Sequence, residues 1–248
     1  MLCNWLGIDI GGSGIKGAIV DTEKGKFTTE RYRIDTPQPA IPETVTDTVA
    51  EIVRHFNWKG ALGCTFPAIM KDGIAHSAAN VDDSFIGVDV QSLIQRKTEN
   101  PTIVMNDADA AGIAEMHFGA GRGKLGTTII LTLGTGIGSA IFRQGILVPN
   151  TELGHVYLSN GKEGEGYAAD RIRSEQQLSW KKWGKRVNRY MQHIDFIFSP
   201  ALIIIGGGVS KQHEKYFEYI KVNATLVPAQ LRNQAGIIGA AAAALALA

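Results

Sequence analysis

The chain has 248 residues, 44% of them hydrophobic, and 25 basic side chains almost balance 24 acidic ones to give a formal charge of +1. This composition is that of a globular protein, and its balanced charge excludes a general electrostatic attraction to nucleic acid or to a membrane surface. Two cysteines, Cys3 and Cys64, are too few for a disulfide framework or a four-thiolate zinc site, and they fit a reducing, cytoplasmic setting.

In chain order, the first third alternates short apolar runs with turn residues. WLGIDI, IKGAIVD and KFTTERYRI are predicted strands, and PETVTDTVAEIVRHF has the apolar spacing of a helix. Further strands at ALGCTF and TIVMN and a helix at DADAAGIAEMHFG follow. The order β-β-β-α-β-α-β-α predicts a mixed α/β layer.

The pattern then restarts, because GTTIILTLGTGIGSAIFRQGILV contains two strands joined by a second glycine loop. The segment at 12–15, Gly-Ser-Gly-Ile, matches Gly-Thr-Gly-Ile at 134–137, and an Ala-Ile pair follows each at the same spacing. Two glycine-rich hairpins can match by chance. The shared flanks favour instead a duplicated domain with one loop from each half facing a common cleft.

The second half continues with a predicted helix at SWKKWGKRVNRYMQHIDFIF, a strand in ALIIIGGGVS, and a helix at KQHEKYFEYIKV capped by Ser210. The glycine-rich, basic segment GAGRGKLG is the predicted hinge. The last helix, which is apolar but too short to cross a bilayer, is expected to return to the first domain. The expected domains are therefore residues 1–122 with 237–248, and residues 123–236.

The segment DIGGSGIKG, at residues 9–17, contains the dinucleotide-binding pattern G-x-G-x-x-G. The sequence after it predicts a strand hairpin, whereas a dinucleotide site requires a helix there. Two interpretations remain, an unliganded β-turn and a loop whose backbone N–H groups bind phosphate oxygens.

The side chains of the first glycine loop favour phosphate. Gly11 and Gly12 leave the backbone open, Ser13 adds a hydroxyl, and Lys16 adds a positive charge. Asp9 supplies a carboxylate suited to hydrated Mg²⁺.

Two further glycine stretches support the same interpretation. Gly134, Thr135 and Gly136 repeat the donors of the first loop, and Gly207 and Gly208 leave room for a nucleotide base close to the backbone.

Three motifs in this order, DIGGSGIKG, LTLGTGIGSA and LIIIGGGVS, resemble the phosphate 1, phosphate 2 and adenosine motifs of the actin-like sugar kinases. NDADAAG and ELGH narrow the resemblance to the ROK family of sugar kinases and repressors. AANVD, the LSWKKWGKRVNRY helix and QAGIIGAAAAA are similar to the polyphosphate glucokinases within it. The resemblance implies an α/β fold of two duplicated RNase H-like (actin-like) domains with a cleft between them.

The resemblance also implies an activity. A phosphoryl group would pass from inorganic polyphosphate, and from ATP as a further donor, to the 6-hydroxyl of glucose, with Mg²⁺ as cofactor. The expected partners are glucose and the phosphate donor, without nucleic acid or membrane, and the expected state is a cytoplasmic homodimer. Two alternatives stay open: an ATP-dependent glucokinase or glucomannokinase, and a sugar-sensing regulator without catalysis.

The resemblance places Asp107 as the catalytic base, which accepts a proton as a sugar hydroxyl attacks phosphorus. Either Asn106 or Asp107 also fits a plain helix-capping role. The implied glucose-binding residues are Asn80, Asn106, Asp107, Glu152, His155 and Glu165. Glu163 competes with Glu165 for the last position. Because SNGKEGEGYAAD lacks the cysteines with which many members bind zinc, no zinc is predicted.

A polyphosphate site needs several cations along a groove. Lys181, Lys185 and Arg189 recur at helical spacing on one stripe, and Arg171 and Arg173 lie shortly before them. An ordinary solvated basic face gives the same pattern. The resemblance favours a donor track that includes Arg171, Lys181 and Lys185.

Overall fold

The computed structural model describes residues 3–78 and 81–247, and these form two compact units. The first contains the described residues up to Ala114 together with those from Gln234 onward, and the second runs from Glu115 to Asn233. Within the described ranges, no helix has both the length and the apolar character needed to span a membrane.

The first unit is a mixed sheet with helices packed on it. Its strands are β1 (Asn4–Gly11), β2 (Gly14–Asp21), β3 (Lys26–Phe27), β4 (Tyr32–Ile34), β5 (Leu62–Phe66), β6 (Met70–Lys71), β7 (Ile74–Ala75) and β8 (Thr102–Asn106). Its helices are α1 (Pro42–His55), α2 (Val90–Thr98), the first part of α3 (Asp107–Phe118), and α7 (Ala235–Ala244). The sheet order is β3-β2-β1-β5-β8, with β4 also paired to β2 and with β6 and β7 in a separate hairpin.

The second unit repeats this arrangement. Its strands are β9 (Thr127–Leu133), β10 (Ile137–Arg143), β11 (Ile146–Val148), β12 (Leu202–Gly206) and β13 (Thr225–Pro228), in the order β11-β10-β9-β12-β13. Its helices are α4 (Gly164–Ala168), α5 (Asp170–Glu175) and α6 (Trp180–Phe198). In the first sheet, β1 pairs antiparallel with β2 and parallel with β5. In the second sheet, β9 pairs in the same way with β10 and β12. This repeated pairing confirms the predicted duplicated α/β fold.

The two faces of the first sheet are covered differently. Alternate residues of β1, among them Leu6, Ile8 and Ile10, are buried in one cluster with the apolar stripe of α1. On the opposite face, Gly7 and Gly63 lie against the backbone of α7, and a methyl group on either glycine would meet a carbonyl oxygen of that helix within 2.0 Å. The glycines therefore let α7 pack directly on the strands.

Helix α6 forms where the basic and apolar spacing predicted it. Ser179 caps it by accepting a hydrogen bond from the Lys182 N–H at 3.3 Å. Trp183, Val187 and Met191 are fully buried in the core of the second unit. The long apolar stripe is what holds this charged helix on the second sheet.

The predicted α-helix over 211–222 is wrong. The chain forms two short 3₁₀ segments there, Gly208–Lys215 and Phe217–Tyr219, and Gln212 has non-helical backbone angles. The Ser210 hydroxyl donates to the Gly207 carbonyl at 2.8 Å, so it does not cap a helix. Tyr216 is buried against the ring of Trp183, at 4.8 Å between centroids, and this packing replaces helical regularity.

Candidate functional site

The first glycine loop is the tight connection between β1 and β2. Gly11 pairs with Gly14, so Gly12 and Ser13 form the tip. Asp9 lies opposite Lys16 on β2, and the Asp9 Oδ2 atom is 3.5 Å from the Lys16 ammonium nitrogen. All of the sequence-predicted residues of this loop are therefore neighbours within the first unit.

The Asp9 carboxylate is held at the centre of the sheet. Thr65, its partner in the parallel register of β1 and β5, donates its hydroxyl to Asp9 Oδ1 at 2.8 Å. The start of α7 lies close by, because a methyl group on Gly236 would be 3.1 Å from the same oxygen. A fixed, partly exposed carboxylate beside a glycine loop fits the hard oxygen ligand that hydrated Mg²⁺ prefers.

Arg33 on β4 contacts this loop, and the sequence did not predict that contact. It lies opposite Lys16 in the β2–β4 pairing, and its Nη2 atom donates to the Ser13 carbonyl at 2.9 Å. A methyl group on Gly14 would be 2.7 Å from the Arg33 Nε atom, so the guanidinium occupies the space above that glycine. The sequence predicted a strand at KFTTERYRI, which contains Arg33. It did not give the register of that strand against β2, so it could not place Arg33 beside the loop.

Asn106 and Asp107 lie at the junction of β8 and α3. Asn106 is buried, and its Oδ1 atom accepts hydrogen bonds from the N–H groups of Ala108 and Asp109, while its Nδ2 atom donates to the Ala68 carbonyl. Asn106 is therefore the helix cap.

Asp107 is exposed, and it too accepts the Ala108 N–H, at 2.8 Å. Its carboxylate thus lies at the solvent-accessible start of α3. Asn80, the further predicted glucose contact in the first unit's sequence, lies outside the described residues.

The second glycine loop has an arginine of its own. Gly134, Thr135 and Gly136 join β9 to β10, and the Arg171 Nε atom donates to the Thr135 carbonyl at 3.0 Å. The Arg171 backbone N–H donates to the Gly134 carbonyl, which docks the start of α5 on the loop. Gly207 packs against the end of β9, because a methyl group there would meet the Leu133 carbonyl.

Four predicted sugar-binding groups cluster near this loop. A short 3₁₀ helix at 153–155 presents His155, whose Nδ1 atom is 2.8 Å from a Glu163 oxygen and whose Nε2 atom is 4.0 Å from a Glu152 oxygen. Glu165 accepts the Ile137 N–H at 3.2 Å and so contacts the second glycine loop itself. The two competing glutamates therefore have different neighbours: Glu163 meets the imidazole and Glu165 meets the loop.

The cluster changes the protonation of its members. The hydrogen bond that the Glu163 carboxylate accepts from the ring raises the pKa of His155 above its ordinary value, and the nearby charges of Glu165 and Glu152 act in the same direction. Burial raises the pKa of Glu152. One ligand atom each from His155, Glu163 and Glu165 lie within 4.8 Å of one another, a spacing suited to a divalent cation, although no cysteine is present in 152–165 to complete a thiolate zinc site.

The basic face of α6 is exposed along its length. Lys181, Lys185 and Arg189 all point away from the buried apolar stripe, and Arg189 donates to the Ser159 hydroxyl at 2.9 Å. Arg173 is engaged elsewhere: it pairs with Asp170 at 2.7 Å and its guanidinium lies 4.2 Å from the Trp180 ring centroid.

Known proteins resemble this chain over almost its whole length. It is 44% identical over 241 residues to polyphosphate glucokinase of Mycobacterium tuberculosis (strain CDC 1551 / Oshkosh), which covers 97% of this chain and 91% of that protein. It is 43% identical to polyphosphate glucokinase of Mycobacterium leprae (strain TN), with 97% and 74% covered. The crystal structure of inorganic polyphosphate/ATP-glucomannokinase from Arthrobacter sp. strain KM matches with a TM-score of 0.93 at 45% identity, covering 99% of this chain and 100% of that one.

A sequence model of the ROK family matches residues 5–170. This range contains both glycine loops, the junction of β8 and α3, and the glutamate and histidine cluster. The family match and the two mycobacterial relatives lead to the same conclusion: the chain belongs to the ROK family.

Proposed function

We propose that this protein transfers a phosphoryl group from inorganic polyphosphate, and from ATP as a second donor, to the 6-hydroxyl of glucose. The observation that carries the proposal is the glycine-rich hairpin loop repeated in both units, in a chain at least 43% identical to two polyphosphate glucokinases. The high similarity to a polyphosphate/ATP-glucomannokinase supports both donors.

We assign Asp107 as the base that accepts the proton of the 6-hydroxyl as its oxygen attacks phosphorus. Asn106 supports this role because it caps α3 and fixes the backbone from which Asp107 extends. Asp9 is the residue that would hold hydrated Mg²⁺, whose charge offsets that of the donor phosphates.

We assign glucose binding in the second unit to Glu152 and His155, whose carboxylate and imidazole groups offer directional hydrogen bonds to hydroxyls. Glu163 fixes the orientation of the His155 ring through Nδ1. Glu165 links the sugar-binding segment to the second glycine loop through the Ile137 N–H.

A coupled assay tests the proposal directly. Purified protein with Mg²⁺ and glucose is expected to form glucose 6-phosphate from polyphosphate and from ATP. Product from ATP alone would establish the ATP-dependent alternative, and no product from either donor would overturn the assignment in favour of a sugar-sensing protein. The homodimer and the cytoplasmic location implied by the family resemblance remain part of this proposal, and light scattering after size-exclusion chromatography tests the first.

The exposed row on α6 is proposed to extend the polyphosphate site beyond the glycine loop. Lys181→Glu with Lys185→Glu is expected to raise the KM for long-chain polyphosphate more than the KM for ATP, because only a long polyanion reaches several cations at once. Lys59→Glu with Lys71→Glu, two exposed lysines of the first unit, gives the same charge change as a control. Equal increases in KM for both donors would contradict a role of α6 in binding polyphosphate.

A further inference from the structure

We propose that Arg33 binds phosphoryl oxygens of the donor at the first glycine loop. The inference rests on the proposed function for the chemistry of the ligand, a chain of phosphates. It adds a residue of β4, an element outside the glycine motif, to the binding site.

The Arg33 guanidinium lies at the tip of the first glycine loop and has N–H groups left to bind a ligand. Arg33 Nη2 donates to the Ser13 carbonyl at 2.9 Å, while Nη1 pairs with Asp35 at 2.6 Å. The side chain is 43% exposed, so the charge is accessible from solvent at the tip of the loop. A guanidinium presents five N–H donors in a planar fork, more than these two bonds use, and that fork matches the oxygens of a phosphate.

The charged side chains around Arg33 also favour an anion at this loop. Arg33, Lys16 and Asp9 lie opposite one another in register across β4, β2 and β1. Lys16 and Asp9 are close enough to offset each other's charge, at 3.5 Å. Arg33 is paired as well, with Asp35 at 2.6 Å, but the Asp35 side chain is 83% exposed, so solvent screens that pair and an anion at the loop can compete for the guanidinium.

The second unit has an arginine in an equivalent contact with its own glycine loop. Ser13 and Thr135 occupy equivalent positions of the repeated loop, and the carbonyl of each accepts a hydrogen bond from an arginine, Arg33 in one and Arg171 in the other. A peptide carbonyl at the tip would repel phosphate, and a guanidinium bonded to it removes that repulsion and adds a positive charge. The two arginines come from different elements, β4 and α5, so the shared contact is not a simple result of the duplicated fold.

The test measures binding of tripolyphosphate with Mg²⁺ by isothermal titration calorimetry, in the absence of glucose. Arg33→Gln is expected to weaken binding about tenfold, the loss typical of one charge-assisted contact. Arg31→Gln removes another exposed arginine two residues away and is expected to leave the Kd unchanged. Equal effects of the two variants would overturn the inference.

A second variant moves the guanidinium without removing it. Gly14→Ala places a methyl group where the Arg33 side chain lies, and that flexible side chain is free to shift without disturbing the backbone. Gly14→Ala should weaken tripolyphosphate binding, and the double variant with Arg33→Gln should bind no more weakly than Arg33→Gln alone. Additive losses would mean that Gly14 acts independently of Arg33 and would contradict the proposed contact.

The same experiment separates this inference from the proposed function. If wild-type protein binds tripolyphosphate and Arg33→Gln weakens it, the inference holds even if glucose is not phosphorylated. If glucose is phosphorylated and Arg33→Gln binds the donor normally, the inference fails and the proposed function stands. Absence of tripolyphosphate binding by wild-type protein would overturn both this inference and the polyphosphate donor.

Discussion

Asn106 and Asp107 are adjacent, yet the fold gives them opposite environments. The buried Asn106 uses both ends of its amide within the protein, whereas Asp107 extends from the first turn of α3 towards solvent. Capping and proton acceptance are therefore assigned to different residues of the N-D pair. This separation allows the two roles to be tested separately.

Asp107→Asn is expected to lower kcat by about a thousandfold, within the range for loss of a general base, because the amide cannot accept the proton of the attacking hydroxyl. The melting temperature should change little, since Asn106 still caps α3. The coupled assay and a thermal melt measure both effects. Asp83→Asn, at another exposed aspartate of the first unit, serves as the control, and near-normal turnover by Asp107→Asn would refute the base assignment.

The pair His155 and Glu163 predicts a pH effect. The raised pKa means that the folded protein binds the His155 proton more tightly than the unfolded chain does. The resulting stabilisation is fully present below the unfolded pKa of about 6.5 and is lost as the pH rises through the higher folded pKa. Glu163→Gln removes the main cause and should lower the His155 pKa, as measured by NMR titration of the ring.

Urea unfolding provides the second measurement of the same pair. The difference in unfolding free energy between wild type and Glu163→Gln should be largest below about pH 6.5 and should shrink in alkaline solution. Glu214→Gln, an exposed glutamate of the second unit, should show no such dependence. A difference that grows with pH would contradict the assigned hydrogen bond.

At the residue scale, the sequence predicted most of what lies within one motif. Asp9, Lys16 and the glycines are neighbours because a hairpin brings nearby residues together. Arg33 reaches the loop through a strand register that no short motif encodes. The contrasting neighbours of Glu163 and Glu165 were equally hidden, because they depend on how the segment folds over β10 and the 3₁₀ turn at His155.

At the element scale, α7 packs on the first sheet through glycines rather than through interlocking side chains. Gly7 and Gly63 face Ile237 and Ala240, and Gly239 faces the Ala110 carbonyl on α3. The helix itself is rich in alanine, which favours helix and adds little bulk. Close backbone contact on two sides makes this packing sensitive to a single added methyl group.

Gly63→Ala tests the contact, because its methyl group would lie 1.8 Å from the Ala240 carbonyl oxygen. Relieving the clash requires a shift of α7 or β5, and we expect a loss of about 1–3 kcal/mol in the free energy of unfolding, measured with urea. Gly166→Ala, where nothing lies within 4 Å, is the matched control and should not destabilise. Unchanged stability of Gly63→Ala would mean that α7 is packed more loosely than described.

Elements with strong periodicity were predicted well and those shaped by tertiary packing were not. The stripes of α1 and α6 defined both helices, since their apolar faces are what the sheets bury. The segment at 211–222 has comparable helix-forming residues but is governed by burial of Tyr216 and by the turn at Gly207. KFTTERYRI likewise divided into β3 and β4, which both pair with β2.

At the scale of the whole molecule, Glu115 connects the two segments by which the chain passes between the units. It is buried, and its carboxylate accepts hydrogen bonds from the N–H groups of Ala120, Gln230 and Leu231. The first of these lies just after α3 and the other two lie shortly before α7. The Glu115 side chain thus fixes both ends of the second unit.

Glu115→Ala should cost about 2 kcal/mol or more of stability, because it leaves three backbone N–H groups without their acceptor. Hydrogen exchange should become faster at Ala120, Gln230 and Leu231. Glu115→Gln keeps one acceptor oxygen and should give an intermediate loss, whereas Glu214→Ala should have no effect. Unaltered exchange at these amides in Glu115→Ala would show that other contacts hold the two segments.

The packing of α7 also has a consequence for the order of events during biosynthesis. The helix covers β1 and β5 but follows the entire second unit in the chain. At translation rates of about 5–20 residues per second, α7 is synthesised on the order of ten seconds after the strands of the first sheet, and until then that face of the sheet is uncovered. Where α7 will lie, β1 and β5 present Gly7 and Gly63, which have no side chain, so this part of the bare face offers less apolar surface to other unfinished chains on the ribosome than large side chains would.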